Sequence, residues 1–159
     1  MTDSIRLRPR SEADRPFLAL LYASTRVGEL AITDWTDEQK VAFLNWQFDA
    51  QTIHYDEYYG EADFLIVEKD GVPIGRLYVD RGPVEIEIVD IALLPQFRRG
   101  GLGTRLLREI LREGEESGRP VRIYVENFNP ARHLYDRLGF QHVDTNGVYH
   151  LMKWTPNAG

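Results

Sequence analysis

Between Pro95 and Thr104 the chain reads Pro-Gln-Phe-Arg-Arg-Gly-Gly-Leu-Gly-Thr, and from Leu102 onward Leu106, Leu107, Ile110 and Leu111 recur with helical spacing. A helix start leaves N–H groups without intrahelical acceptors and carries the positive end of the helix dipole. Glycines let a bulky anion come close to that backbone. Arg98, Arg99 and Arg105 crowd this same end, where cations are ordinarily disfavoured. A bound polyanion reconciles the geometry with the charge. The alternative is a flexible turn whose arginines pair with Glu109 and Glu113.

Two common phosphate binders fail on spacing. A Walker loop ends in Gly-Lys-Ser/Thr, and here Arg105 follows Thr104 with no such lysine. A dinucleotide fingerprint needs a third glycine where this chain has Leu106. Other chemistries find no support. His54, His133, His142 and His150 show no metal-ligand spacing, and with no cysteine there is no thiolate site, so no metal is expected. No Gly-x-Ser-x-Gly elbow marks a serine hydrolase.

Regular elements must present these groups. Ile5–Pro9 alternates and reads as a strand. Ser11, with Asp14 three residues on, caps a helix with Phe17, Leu18, Leu20, Leu21 and Tyr22 on its apolar face, and the chain turns around Gly28. A second helix opens near Thr36 and runs through Val41, Phe43, Leu44 and Trp46 towards Phe48, while Tyr55–Asp63 has no clear periodicity. Phe64–Glu68 and Pro73–Asp80 form a hairpin across Asp70-Gly71, and Glu85–Leu94 is a long strand. The helix from Leu102 closes at Gly118. Val121–Val125 is a strand, and Pro130–Leu138 is a helix with Asn129 in cap position. Phe140–Val143 and Val148–Trp154 follow across Asn146-Gly147. The order β-α-α-β-β-β-α-β-α-β-β is an α/β (α+β) arrangement. No repeat or linker divides it, so 1–159 reads as one domain.

Composition narrows the class. A formal net charge of -6 argues against broad nucleic-acid binding and suits a cationic partner. No run approaches the ~20 apolar residues of a membrane span, and no signal peptide opens the chain. The absence of cysteine fits a reducing, cytoplasmic setting.

The loop with its strand, Asp90-Ile91-Ala92-Leu93-Leu94-Pro95 and then Arg98-x-x-Gly101-x-Gly103, resembles motif A of the GNAT N-acetyltransferase superfamily. Asn129-Pro130-Ala131-Arg132-His133-Leu134-Tyr135-Asp136-Arg137-Leu138-Gly139-Phe140 resembles its motif B. The element order also fits that fold, which implies a central mixed, mostly antiparallel seven-stranded sheet with about four helices. The resemblance implies acetyl-CoA as acyl donor, with its pyrophosphate on Arg98, Arg99, Gly100, Gly101, Leu102, Gly103 and Thr104. Its pantetheine arm would pair with Ile91, Ala92 and Leu93 between two strands that splay apart. Asn129 falls where an amide often contacts the cofactor, and Tyr135 lies beside the leaving sulfur. The family includes many dimers, so a homodimer is admitted, with no interface residue to name.

The chemistry would be attack of a neutral amine on the thioester. An alkylamine pKa near ~10 makes that form scarce at pH 7, a deficit of roughly 4 kcal/mol. A base lowers it, and a backbone N–H on the splayed strand could meet the developing oxyanion. Tyr135 is the candidate donor to the departing thiolate, provided loss of its proton is stabilised locally. Glu85, Glu87 and Asp90 are the candidate bases on the central strand, where the polar phase slips as if at a bulge. Glu87 ranks first, because family members that use a glutamate base match its position, and Asp90 second. The acceptor segment contributes Arg26, Glu29, Trp35, Trp46, Phe48, Tyr55, Tyr58 and Tyr59, with Asp49, Asp56, Glu57 and Glu61. Aromatics beside carboxylates could hold an amine, but Trp46 and Phe48 are expected in the core and the acidic run in solvent. A small-molecule amine is the first expectation, a protein or peptide amine the second, and a non-catalytic coenzyme A-binding module the third.

Overall fold

The structure, a computed structural model, describes residues 4–126, 129 and 131–157, without the side chains of residues 28 and 29. The elements are β1 (Ile5–Pro9), α1 (Arg15–Leu30), α2 (Asp37–Tyr58), β2 (Asp63–Lys69), β3 (Val72–Arg81), β4 (Ile86–Leu93), α3 (Leu102–Ser117), β5 (Val121–Glu126), α4 (Arg132–Arg137), β6 (Gln141–Asn146) and β7 (Tyr149–Trp154). The strands form one seven-stranded sheet in the order β1-β2-β3-β4-β5-β7-β6. β4 and β5 run parallel, whereas the pairs β1–β2, β5–β7 and β6–β7 are antiparallel. This is the mixed sheet expected from the sequence. Contacts group the chain into two compact units, Met1–Leu77 with Ala92–Phe97 and Tyr78–Ile91 with Arg98–Gly159.

In the first unit, the Asp14 carboxylate accepts from the Ser11 N–H at 2.8 Å, closing the turn that leads into α1. Arg8 donates to both Asp14 oxygens, at 2.8 and 2.7 Å, and to Glu68 at 2.7 Å. Leu18 and Tyr22 of α1 pack on Phe48 of α2 and Ile66 of β2. α1 does not turn at Gly28; it runs to Leu30, because one glycine lowers helix stability without ending a well-packed helix. Thr36 caps α2 as expected, its Oγ1 accepting from the Gln39 N–H at 3.1 Å. α2 continues past Phe48 to Tyr58, absorbing part of the segment that shows no periodicity. Its inward row includes Leu44 and Phe48. Val41 and Trp46 fall off that row and stand exposed, Trp46 at 66%, contrary to the expectation that Trp46 is core.

In the second unit, α3 buries Leu106, Leu107, Ile110 and Leu111 on one stripe and ends at Gly118. β5 buries Val121, Ile123 and Val125 in strict alternation. α4 is shorter than expected, Arg132–Arg137. The cap position falls to Ala131, with no side-chain cap bond, and not to Asn129, whose Oδ1 accepts from the Ala131 N–H at 2.9 Å in the turn before the helix; Pro130 lies outside the described residues. Phe140 is not in β6, because its N–H is held by the Tyr135 carbonyl at 3.0 Å. β6 instead extends to Asn146 along β7, with a register shift between His142 and Asp144.

Candidate active site

β4 and β5 share three rungs, Ile86↔Val121, Glu87↔Arg122 and Ile88↔Ile123. Beyond Ile88 the two strands part. β4 runs on to Leu93, and β5 keeps its ladder with β7 as far as Glu126↔Tyr149. The opening is a small cleft lined by Val89, Asp90, Ile91, Ile123, Tyr124, Val125, Asn129 and Tyr135. A strand that leaves its neighbour exposes main-chain N–H and C=O groups that a ligand can satisfy. Ile91 lies in this cleft. Ala92 and Leu93 continue the same strand, and Gly75 of β3 closes on them so tightly that a Cβ there would stand 2.4 Å from the Ala92 carbonyl oxygen. Leu94 donates its N–H to the Ile74 carbonyl at 2.8 Å, pinning the end of β4.

Tyr135 is 5% exposed, and its ring meets that of Phe140 edge-on at 5.6 Å. Burial, and after it the charge of Asp90, hold its phenol protonated well above the usual phenol range. Such a group is a firm hydrogen-bond donor and a reluctant acid. The local stabilisation of a phenolate that full proton transfer requires is opposed by the Asp90 charge.

Glu87 has a different neighbourhood. It is 5% exposed, and its Oε1 accepts from Arg122 Nε at 3.0 Å and Nη2 at 2.7 Å. Arg122 Nη1 also reaches Glu85 Oε1 at 3.1 Å. The structure therefore brings Asp90, Asn129, Ile91 and Tyr135 to one cleft, and ties Glu85 and Glu87 to Arg122.

The loop that leads into α3 has two residues in the left-handed region, Arg99 at φ 65° and Gly101 at φ 82°. Left-handed residues in such a turn aim successive N–H groups inward, a concavity suited to an anion. The Gly101 carbonyl accepts the Arg105 N–H at 3.0 Å as the first helical bond, so the N–H groups of Leu102, Gly103 and Thr104 precede the ladder. A Cβ at Gly100 or Gly101 would meet nothing within 4 Å, which leaves room for a ligand. The alternative pairing of loop arginines is partly present: Arg105 stands 3.9 Å from Glu109, while Glu113 takes Arg81 instead at 2.8 Å.

The residues expected on the acceptor side scatter. Phe48 is core. Arg15 holds Asp49, and Arg10 holds Asp56 at 2.8 Å. Tyr55, Tyr58 and Tyr59 form a ladder of rings with His54, and Tyr58 stacks on His54 at 5.5 Å. Arg26 lies over the Tyr22 ring at 5.2 Å, Trp35 meets Phe43 edge-on at 4.9 Å, and Glu57 and Glu61 are exposed. The Glu29 side chain lies outside the described residues.

The profile of the Acetyltransferase (GNAT) family matches residues 27–140, from within α1 through α4. The chain belongs to this family. It is similar to an N-alpha-acetyltransferase of Sulfurisphaera tokodaii, 33% identical over 105 residues, which are 57% of this chain and 62% of that protein's length. It is also similar to the [ribosomal protein bS18]-alanine N-acetyltransferase of Haemophilus influenzae, 27% identical over 71% of this chain and 76% of the relative. The PaiA N-acetyltransferase of Thermoplasma acidophilum, crystallised with coenzyme A, superposes with a TM-score of 0.71 at 21% identity, covering 96% of this chain and 99% of that one. Among the described residues no helix is long and apolar enough to cross a membrane, and no cluster of three or more His, Cys, Asp or Glu could hold a metal ion.

For a GNAT chain, Tyr124, which lines the cleft, and Arg122, at the rung before it, are residues that the sequence did not mark out. Alternation along Val121–Glu126 does place them on one face. What it cannot supply is the parallel register that sets Arg122 opposite Glu87, because those two residues are linked by no local turn.

Proposed function

We propose that this GNAT-family acetyltransferase moves the acetyl group of acetyl-CoA onto the N-terminal α-amine of a polypeptide, the 159 residues acting as one catalytic domain in the cytoplasm. The observation that carries this reading is the parting of β4 and β5 around Tyr135 and Asp90. The residues present fit the donor. Left-handed Arg99 and Gly101 with open space above Gly100 and Gly101 suit a diphosphate, and Arg98 and Arg99 add positive charge. The edge of β4 at Ile91, beyond its last rung with β5, suits an extended amide-bearing arm. Bound there, acetyl-CoA supplies the activated acyl carbon.

In this reading Asn129 borders the donor site, Tyr135 donates a hydrogen bond to the leaving sulfur, and Asp90 takes the proton of the incoming amine, directly or through water. Glu87, first from sequence, is the weaker candidate because Arg122 already occupies its oxygen. The acceptor follows from proton chemistry and from the relatives' activities. An α-amine has a pKa of about 8 against about 10.4 for lysine, so its neutral form at pH 7 costs roughly 1 kcal/mol instead of 4–5. A site with one modest carboxylate suits the former. A small-molecule amine, which the sequence put first, is the competing outcome of the test.

The experiment is thiol release from acetyl-CoA over peptides with free N-termini, the same peptides blocked at the N-terminus but carrying lysine, and small amines. Turnover confined to free N-termini supports the reading. Faster turnover on small amines overturns the acceptor. No thiol release with any amine, together with no rise in Tm on adding acetyl-CoA, overturns the function.

A further inference from the structure

Arg122 occupies the middle of three rungs that join β4 to β5, and Ile88↔Ile123 is the last before the strands part. Its guanidinium grips two carboxylates, Glu87 of the facing strand through Nε at 3.0 Å and Nη2 at 2.7 Å, and Glu85, just before that strand, through Nη1 at 3.1 Å. Glu87 is 5% exposed. A buried carboxylate is tolerable only while its charged partner stays in place. Separation at this rung therefore breaks a buried ion pair, whereas the apolar rung beyond it carries no such penalty. The cleft residues Val89, Asp90 and Ile91 on one side, and Tyr124 and Val125 on the other, begin directly after.

We infer that Arg122 is a positioning residue, a pin whose ion pairs with Glu87 and Glu85 fix the point where β4 and β5 part, and so set how deeply the acyl donor enters towards Tyr135. The inference rests on the function proposed above. It also gives Glu87 a structural assignment, since its Oε1 accepts two guanidinium N–H bonds, and leaves Asp90 as the carboxylate in the cleft.

The test uses Arg122→Met, Arg122→Lys, Glu87→Gln and the double variant E87Q/R122M in the full chain. Coenzyme A affinity is read by calorimetry and steady-state kinetics are read across pH. Arg122→Met should raise the KM for acetyl-CoA about tenfold, with a smaller change in kcat. It should also add an ionisation to the kcat/KM profile above the ordinary carboxylate range, because Glu87 stays buried and loses the guanidinium charge. E87Q/R122M should lose that ionisation and keep the raised KM. Arg122→Lys should recover most of the affinity. If Arg122→Met fails to fold, the double variant, which buries no lone charge, decides by its KM. Wild-type affinity, KM and pH profile in Arg122→Met, or a wild-type KM in the double variant, overturns the inference. So does a fall in kcat of about 100-fold with unchanged KM in Glu87→Gln, which would make Glu87 the base. A wild-type chain that binds no coenzyme A overturns the proposed function and this inference with it; a wild type that binds, with variants that bind alike, overturns this inference alone.

Discussion

Asp90 and Tyr135 line one cleft, and the charge of the carboxylate adds to burial in keeping the phenol protonated. The sign matters for pH dependence. A raised phenol pKa means the donor form persists through the alkaline range, so a fall in rate below pH ~10 is not the titration of Tyr135. Tyr135→Phe should lower kcat by roughly 100–1000-fold with little change in coenzyme A affinity. Unchanged turnover would remove Tyr135 from the reaction.

Removing the neighbouring charge should move the phenol downward. Asp90→Asn leaves burial in place but deletes the second cause of the shift. Tyrosine-selective carbon NMR across pH, with the signal assigned by its loss in Tyr135→Phe, should show Tyr135 titrating earlier in Asp90→Asn than in the wild type. The same variant should lose about 100-fold in kcat/KM if Asp90 receives the amine proton. Identical titration and rates would separate the two residues.

Gly101 stands at φ 82° with open space where a Cβ would go. Valine there pays left-handed strain of roughly 1–2 kcal/mol without a clash, so the protein should still fold. Its side chain would fill the proposed diphosphate cradle. In the wild type, acetyl-CoA at a hundred times its Kd should add about 2.7 kcal/mol, and Gly101→Val should abolish that rise in Tm. A retained rise contradicts the cradle.

Gly75 is constrained in the opposite way. A Cβ would lie 2.4 Å from the Ala92 carbonyl oxygen and 2.6 Å from Leu93 Cδ2. A main-chain carbonyl cannot move aside without disturbing β4. Gly75→Ala should destabilise the fold by about 3 kcal/mol, roughly 6–12 °C in Tm at this chain length. Thermal unfolding within a degree or two of wild type would show that the two strands yield.

Asp14 gives the chain an acid-sensitive support. The Arg8 side chain, helped by the Ser11 N–H and opposed by burial, lowers its carboxyl from 3.8 to about 2. A depressed folded-state pKa contributes stability that is complete above the unfolded value and fades as pH falls towards the folded one. About 2 kcal/mol should therefore disappear between about pH 4 and pH 2. Chemical denaturation of Asp14→Asn should lack that part of the acid slope; an unchanged slope would place the acid sensitivity elsewhere.

Local chemistry made much of this chain legible from its residues. Asp70-Gly71 announces a hairpin, Thr36 announces a helix start, and the apolar stripe from Leu102 announces α3 behind its glycine-arginine loop. Each depends on neighbours a few positions apart, so sequence order suffices. Trp46 and Arg122 were beyond that reach. Whether Trp46 faces core or solvent depends on which row of α2 packs on α1 and β2, and both rows carry apolar residues. Whether Glu87 is a base or a pinned ion depends on the rung at which a distant parallel strand meets it. Register between strands joined through a helix is set by packing across the whole sheet, and only the folded chain decides it.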